Sequence, residues 1–170
     1  MKRTIALLAG CLIAATLGTL SPVAAQATST ERTTVHLVSR QVATTASAAE
    51  DAVNWARAQL GQSAYEGLCL SFVVNAYRNG AGVDIGSAPA AVDYWNARPG
   101  QQHPNDGAAP LGALVFWDAT SANPYGHVGI SLGDGTVISS YEHSDHTIHV
   151  FAIADRNGAG YPYLGCLQVA

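Results

Sequence analysis

The sequence predicts an α+β fold in which N-terminal helices pack on one face of an antiparallel β-sheet. Between residues 48 and 97, apolar side chains recur at helical spacing. After residue 112 they recur in short runs rich in β-branched and aromatic residues, which is typical of strands. A chain of 170 residues that is 48% hydrophobic can bury the core of one small domain, and this composition excludes a disordered chain.

Three helices are predicted, and their ends carry recognisable signals. Ser47 and Glu50 form a capping box that starts the first helix, and Gly61 is suited to end it. The second helix begins at Cys69, carries an apolar stripe on one face and ends at Gly80. The predicted helices cover residues 48–60, 69–79 and 90–97.

A predicted loop over residues 99–110 separates the helices from five predicted strands. Asp134-Gly135 lies between the second and third of these strands and indicates a hairpin turn. The predicted strands cover residues 112–117, 127–132, 136–141, 147–153 and 163–168. Short strands that follow helices in this order favour an antiparallel sheet.

The first 27 residues have the pattern of a secretory signal peptide. Lys2 and Arg3 form a positive n-region, an apolar run follows over 5–20, and an A-x-A cleavage site ends at Ala27. The apolar run is shorter than a membrane-spanning helix needs, so we expect the protein to be secreted without a stable membrane anchor. The alternative is a lipobox ending at Cys11, which would make the protein a lipoprotein.

Cleavage would leave residues 28–46 as a flexible leader or pro-segment and residues 47–170 as the domain. Removal of Lys2 and Arg3 lowers the 8 basic residues to 6, against 12 acidic ones, so the net charge moves from −4 to −6. A chain with this acidic balance and no basic stripe is not expected to bind nucleic acid. We expect a monomer.

Cys69 is the first candidate catalytic residue. A thiol at a helix N-terminus lies near the positive end of the helix dipole, which favours the reactive thiolate. The backbone N–H groups of Cys69 and Leu70 are suited to form an oxyanion hole. The alternative is a disulfide between Cys69 and Cys166, which would leave a secreted binding or structural module without catalytic activity.

His127 is the second candidate catalytic residue. It follows a glycine at the start of a predicted strand, where we expect it to project from the sheet edge towards a helix end. A histidine in that place can take the proton of the Cys69 thiol and pair with the thiolate.

The Cys69 helix, Leu111–Trp117 and Gly126–Gly135 follow one another in an order that resembles the NlpC-type cysteine peptidases, papain-like cell-wall hydrolases of bacteria. The resemblance spans about residues 49–142. It implies a papain-like α+β fold and cleavage of an amide bond in the peptide stems of peptidoglycan, with Cys69 as nucleophile and His127 as general base. The nearest alternative is an amidase of the CHAP type, which uses the same cysteine and histidine chemistry on the bond between muramic acid and the peptide.

The resemblance places the third catalytic residue at Ser139, on the strand after the His127 strand. The hairpin turn decides which side chain lies beside His127, because a slip of one residue exchanges the two faces of a strand. A three-residue turn over 133–135 puts Ser139 diagonal to His127 on the same face. A two-residue turn puts Glu142 opposite His127 instead, so Glu142 is the alternative.

A histidine-rich segment follows the hairpin. His143, His146 and His149 lie close to Asp145 in the sequence, and these residue types are zinc ligands. Side chains three residues apart in a strand point to opposite faces, however, so they do not converge on one ion. We therefore expect no metal and no cofactor.

Overall fold

The structure is a computed structural model that describes residues 47–140 and 146–169. Its helical segments are α1 over 47–58, α2 over Cys69–Asn75, a π-helix over Ala76–Ala81, α3 over Ala91–Asn96, a 3-10 turn over Pro99–Gln101 and α4 over Ile153–Gly158. Its strands are β1 over Gln102–Pro104, β2 over Leu114–Trp117, β3 over His127–Ser131, β4 over Thr136–Ser140, β5 over Ile148–Ala152 and β6 over Tyr163–Leu167. None of the described helices is long and apolar enough to cross a membrane.

The strands form one antiparallel sheet in the order β1-β6-β2-β3-β4-β5. Each predicted helix and strand has a counterpart whose ends differ from the prediction by at most two residues. The predicted α+β fold is therefore confirmed.

The sequence pattern does not predict three of the elements, which are the 3-10 turn, β1 and α4. The prediction of a loop over 99–110 is wrong in its first part, which holds the 3-10 turn and β1. Strand β1 is three residues long and mostly exposed, so it has no alternating apolar pattern. It lies at the sheet edge, where Pro104 is tolerated. Helix α4 begins directly after β5.

The sheet separates two apolar clusters. Leu114 and Phe116 of β2 belong to the larger cluster, together with apolar residues of α1, α2 and α3. Val115 and Trp117 point to the other face and belong to the smaller cluster, which Ile153 of α4 joins. The three helices α1 to α3 therefore cover one face of the sheet, as predicted, while α4 covers part of the other.

The helix that begins at Cys69 ends later than predicted. It continues through the π-helix, and Gly82, at φ +68°, is its C-cap, so the predicted end at Gly80 is wrong. A Cβ at Gly80 would lie 2.6 Å from the Asp51 carbonyl oxygen and 2.8 Å from the Trp55 Cβ. Gly80 therefore allows the close approach of α1 rather than ending the helix.

Gly80→Ala is expected to lower the free energy of unfolding by about 1–3 kcal/mol, because the added methyl group forces the two helices apart. Gly100→Ala is the matched control, since a Cβ at Gly100 meets nothing within 4 Å. Urea unfolding followed by circular dichroism measures both variants. Equal unfolding free energies for the two variants would contradict this close helix contact.

Candidate active site

Cys69 is the first residue of α2, as predicted, and its side chain is half-buried. The preceding residue, Leu68, is the N-cap, and its carbonyl oxygen accepts a hydrogen bond from the Phe72 N–H at 2.9 Å. The N-cap Leu68 makes no side-chain capping hydrogen bond. The first N–H groups of a helix have no intrahelical acceptor, and those of Cys69 and Leu70 lie at this end of α2.

Cys69 lines a cleft of about 180 Å³. The start of α2 forms one wall, the segment before α3 forms another, and the turn before β3 closes the third side. Most of the lining residues are small, such as Gly67, Ser71 and Ala88, while Tyr125 contributes an exposed aromatic ring from the turn. An open cleft of this kind can admit an extended chain to the thiol.

The turn that carries Tyr125 is held in place by its neighbours. The Val92 N–H, at the start of α3, donates to the Tyr125 carbonyl oxygen at 3.1 Å. The next residue, Gly126, has φ +68°, and a Cβ there would lie 2.7 Å from the Trp117 carbonyl oxygen, so a glycine is needed. This packing fixes the chain between the cleft wall and His127.

His127 is the first residue of β3, and its ring lies on the face of the smaller cluster. It pairs with Trp117 of β2, and its ring centroid is 5.9 Å from that of Trp117 and 6.3 Å from that of Phe151. Burial, and after it the positive charge of Arg156, hold the pKa of His127 well below its usual 6.5. The imidazole is therefore neutral at neutral pH, which is the form that a general base requires.

Arg156 of α4 is a buried cation among aromatic rings. Its guanidinium carbon lies 4.0 Å from the ring centroid of Tyr161, 5.3 Å from that of Trp117 and 5.9 Å from that of Phe151. Cations are attracted to ring faces at such distances. Asn157, the next residue, accepts a hydrogen bond from Trp117 Nε1 at 2.8 Å. Residues of α4 thus contact Trp117 and Phe151, the two rings beside the His127 imidazole.

The β3–β4 hairpin has the first of the two predicted registers. The Leu132 N–H donates to the Thr136 carbonyl oxygen at 3.0 Å, which leaves 133–135 as a three-residue turn. Pairing along β3 and β4 continues in the same register. Ser139 therefore lies on the same face as His127 and diagonal to it, as predicted for this register.

The Ser139 hydroxyl donates to the Val128 carbonyl oxygen at 2.6 Å. Ser139 is fully buried, so this bond fixes β4 against β3 one residue beyond His127. Glu142, the alternative partner of His127, lies outside the described residues.

The structure brings His127 and Ser139 together on one face of the sheet, and it places Cys69 on the α2 side, against the larger cluster. Side chains alternate along a strand, so the apolar Val128 packs with α2 and its neighbour His127 lies on the opposite face of the sheet. The turn that carries Tyr125 links the cleft to β3, since Tyr125 lines the cleft two residues before His127.

A family comparison matches residues 59–150, more than half of the chain, to the CHAP domain. The chain belongs to the CHAP domain family. A comparison with curated protein sequences finds no match.

Several solved structures share the fold of this CHAP domain. The peptidoglycan hydrolase RipB from Mycobacterium tuberculosis has a TM-score of 0.53 and 22% identity, over 75% of this chain and 68% of that one. The P60 domain of an antigen from M. avium subspecies paratuberculosis has a TM-score of 0.52 and 20% identity, over 74% and 98%. A lipoprotein-like member of the NLP/P60 family from Staphylococcus aureus has a TM-score of 0.51 and 19% identity, over 72% and 41%.

The NlpC-type resemblance and its α+β fold are thereby confirmed. The sequence family is the CHAP family, the nearest alternative predicted from the sequence, and the protein is a cysteine hydrolase of this type. The catalytic roles of Cys69, His127 and Ser139 stay predictions.

Cys166 and Cys69 of the CHAP domain form no disulfide with each other. Cys166 lies on β6, fully buried in the smaller cluster, while Cys69 packs against the larger one. Burial, followed by the negative charge of Asp106, raises the pKa of the Cys166 thiol, which makes it a poor nucleophile. Of the two cysteines in the described residues, Cys69 is the one that lines the cleft.

The histidine-rich segment makes other contacts. His146 Nδ1 lies 2.8 Å from Glu66 Oε1, and both side chains are exposed. His149 Nδ1 lies 3.4 Å from the Thr147 hydroxyl oxygen. His143 and Asp145 are outside the described residues, and within those residues no group of three His, Cys, Asp or Glu side chains converges on one point.

Arg156 and Asn157, which contact the rings beside His127, are not predicted from the sequence. Both lie on the six-residue α4, which is too short for an apolar periodicity to be recognised. The only sequence signal is indirect, since a lone basic residue stands near several aromatic residues in this part of the chain.

Proposed function

We propose that this CHAP domain cleaves an amide bond in the peptide part of peptidoglycan, with Cys69 as nucleophile and His127 as general base. The observation that carries the proposal is the half-buried cysteine at the start of α2, which lines an open cleft in a chain of this family. The fold likeness to a protein described as a peptidoglycan hydrolase agrees with this substrate.

The reaction follows from these groups. His127 takes the thiol proton, and the Cys69 sulfur attacks the carbonyl carbon of the scissile amide. The N–H groups of Cys69 and Leu70 stabilise the oxyanion that forms. The C–N bond then breaks, and the protonated imidazole gives its proton to the leaving amine. Water, deprotonated by the same imidazole, hydrolyses the thioester, releases a carboxylate and restores the thiol.

Ser139 acts through the backbone in this scheme. Its hydroxyl donates to the Val128 carbonyl oxygen, so it fixes the strand that carries His127 rather than pairing with the imidazole through that proton. In the proposed scheme Ser139 is therefore a positioning residue.

The cleaved bond has two candidates. The NlpC-type resemblance favours an amide bond within the peptide stem, and membership of the CHAP family favours the bond between muramic acid and the first residue of the stem. Both fit the same cleft, because each presents an extended peptide on one side of the scissile carbonyl.

We further propose that the protein is secreted by its N-terminal signal peptide and acts as a monomer without a membrane anchor. The positive n-region, the apolar run and the A-x-A site ending at Ala27 support secretion. Residues 28–46 then act as a leader or pro-segment in front of the domain.

Incubation of purified peptidoglycan with the protein is expected to release fragments with new amino and carboxyl ends, identified by mass spectrometry. Free peptides without sugar indicate cleavage at muramic acid, and shortened stems indicate cleavage within the peptide. Pretreatment with iodoacetamide is expected to block release, because it alkylates the thiolate. Unchanged peptidoglycan in the untreated sample, at several pH values, would refute the proposed function.

A further inference from the structure

A second cavity continues the Cys69 cleft along α2. It has a volume of about 200 Å³ and is lined by residues of α2, by the π-helix and by the segment before α3. Leu70, Ser71 and Ala88 line both cavities. The two cavities therefore form one groove, here called the α2 groove, which runs from Cys69 to Arg78.

Arg78 is the one charged residue that lines either cavity of the α2 groove. Its Nη2 lies 3.6 Å from Asp84 Oδ1, and both side chains are more than half exposed. An ion pair of this length and exposure is weak. The same Asp84 oxygen also accepts a hydrogen bond from the Gly86 N–H at 3.0 Å. The guanidinium of Arg78 is therefore available to a stronger, bidentate acceptor in the groove.

The other arginines of the described residues have different surroundings. The guanidinium of Arg98 lies over the Tyr94 ring and donates to the carbonyl oxygens of Tyr94 and Ile85. Arg156 is buried on the far face of the sheet, and Arg57 lies exposed on α1. Arg78 is the arginine that a ligand lying across Cys69 and along α2 would meet.

The spacing sets the length of such a ligand. Arg78 is nine positions after Cys69 on a continuous helical segment, which is about 13 Å at a rise of about 1.5 Å per residue. An extended peptide covers about 3.3–3.6 Å per residue, so this distance corresponds to about four residues.

We propose that Arg78 binds a carboxylate of the substrate peptide, about four residues from the scissile carbonyl. This subsite rests on the proposed function, since it assigns one end of the peptide that the Cys69 cleft receives. A carboxylate accepts two parallel N–H bonds from a guanidinium, which gives both charge and direction to recognition. A peptide whose carboxyl groups are amidated loses this contact.

The test measures binding by the catalytically inactive Cys69→Ala variant. The probes are soluble stem peptides prepared from peptidoglycan, used with their carboxyl groups intact and after chemical amidation. Arg78→Gln in this background is expected to raise the Kd for the intact peptides about tenfold, which is about 1.4 kcal/mol. The Kd for the amidated peptides is expected to stay unchanged. Arg57→Gln is the matched control and is expected to change neither value.

Two results would overturn the subsite. One is an equal loss of affinity for intact and amidated peptides, and the other is no loss for either. Peptidoglycan hydrolysis by the wild-type protein is measured in parallel. If hydrolysis occurs and Arg78→Gln has no effect on binding, the subsite alone is refuted. If no hydrolysis occurs, the proposed function is refuted, and the subsite is refuted with it unless the intact peptides still bind in an Arg78-dependent way.

Discussion

Cys69→Ala is expected to lower kcat/KM for peptidoglycan hydrolysis more than about a thousandfold, because it removes the only atom that forms a covalent bond with the substrate. The variant is expected to fold normally, since Cys69 is half-buried at a helix start and its replacement leaves the apolar side chains of α2 in place. Release of soluble fragments, followed by mass spectrometry, measures the loss, and circular dichroism checks the fold.

Two controls separate a nucleophile from a structural thiol. Cys166→Ala is expected to retain turnover, because Cys166 lies in the smaller cluster, away from the cleft. Cys69→Ser conserves the shape of the side chain but has a weaker nucleophile, so it is expected to be nearly inactive with an unchanged fold. Equal fragment release by the wild type and by Cys69→Ala would exclude the thiolate mechanism.

The sequence pattern was sufficient to predict where Cys69 lies. An apolar stripe at helical spacing requires one face of the helix to be buried, and that requirement determines where α2 begins and which way it faces. The small residues of the cleft left no such pattern, since Gly67, Ser71 and Ala88 carry no periodic apolar signal. The cleft therefore became visible only when α2 and the segment before α3 were placed side by side.

The hairpin illustrates a choice that local sequence leaves open. Asp134-Gly135 is compatible with a two-residue or a three-residue turn, and the two registers bring different residues beside His127. In the structure Gly133 and Gly135 both have positive φ, +81° and +85°, and the Asp134 carboxylate accepts a hydrogen bond from the Thr136 N–H. These three features together stabilise the longer turn, and with it the position of Ser139.

The face of the sheet that carries His127 follows from long-range packing. Val128 and Ile130 are the apolar residues of β3, and their burial against α2 requires His127 to turn to the other face. On that face Trp117 of β2 is a neighbour that strand pairing predicts. Arg156 lies there because it belongs to α4, a helix that the sequence pattern does not predict. The sequence of β3 alone therefore does not predict the residues that lower the pKa of His127.

His127→Ala is expected to lower kcat/KM about 100- to 10,000-fold, which is the usual contribution of a general acid–base group. The loss is expected in kcat, since the imidazole transfers protons and Cys69 with its cleft still binds the peptide. Steady-state kinetics on soluble stem peptides measures it. Retained turnover with an unchanged circular dichroism spectrum would reject His127 as the base.

The pH profile of the wild type tests the same assignment without removing the imidazole. Burial and the charge of Arg156 lower the pKa of His127 well below 6.5, so the neutral base persists into acidic solution and the acid limb of kcat/KM lies below pH 6.5. The unfolded chain binds a proton near pH 6.5 and the folded chain does not, so stability decreases as the pH falls below this value. Circular dichroism at each pH therefore distinguishes loss of the base from unfolding.

Arg156→Met supplies the decisive comparison, because it removes the charge near His127 and retains an apolar side chain among the rings of Trp117, Phe151 and Tyr161. Without the cation, protonation of the imidazole costs less, so the acid limb of kcat/KM is expected to move to higher pH. At pH values above this limb, kcat/KM is expected to change less than it does within the limb. Arg57→Met, at an exposed position on α1, is expected to leave the profile where it is. An acid limb that stays in place in a folded Arg156→Met variant would show that another group limits the reaction.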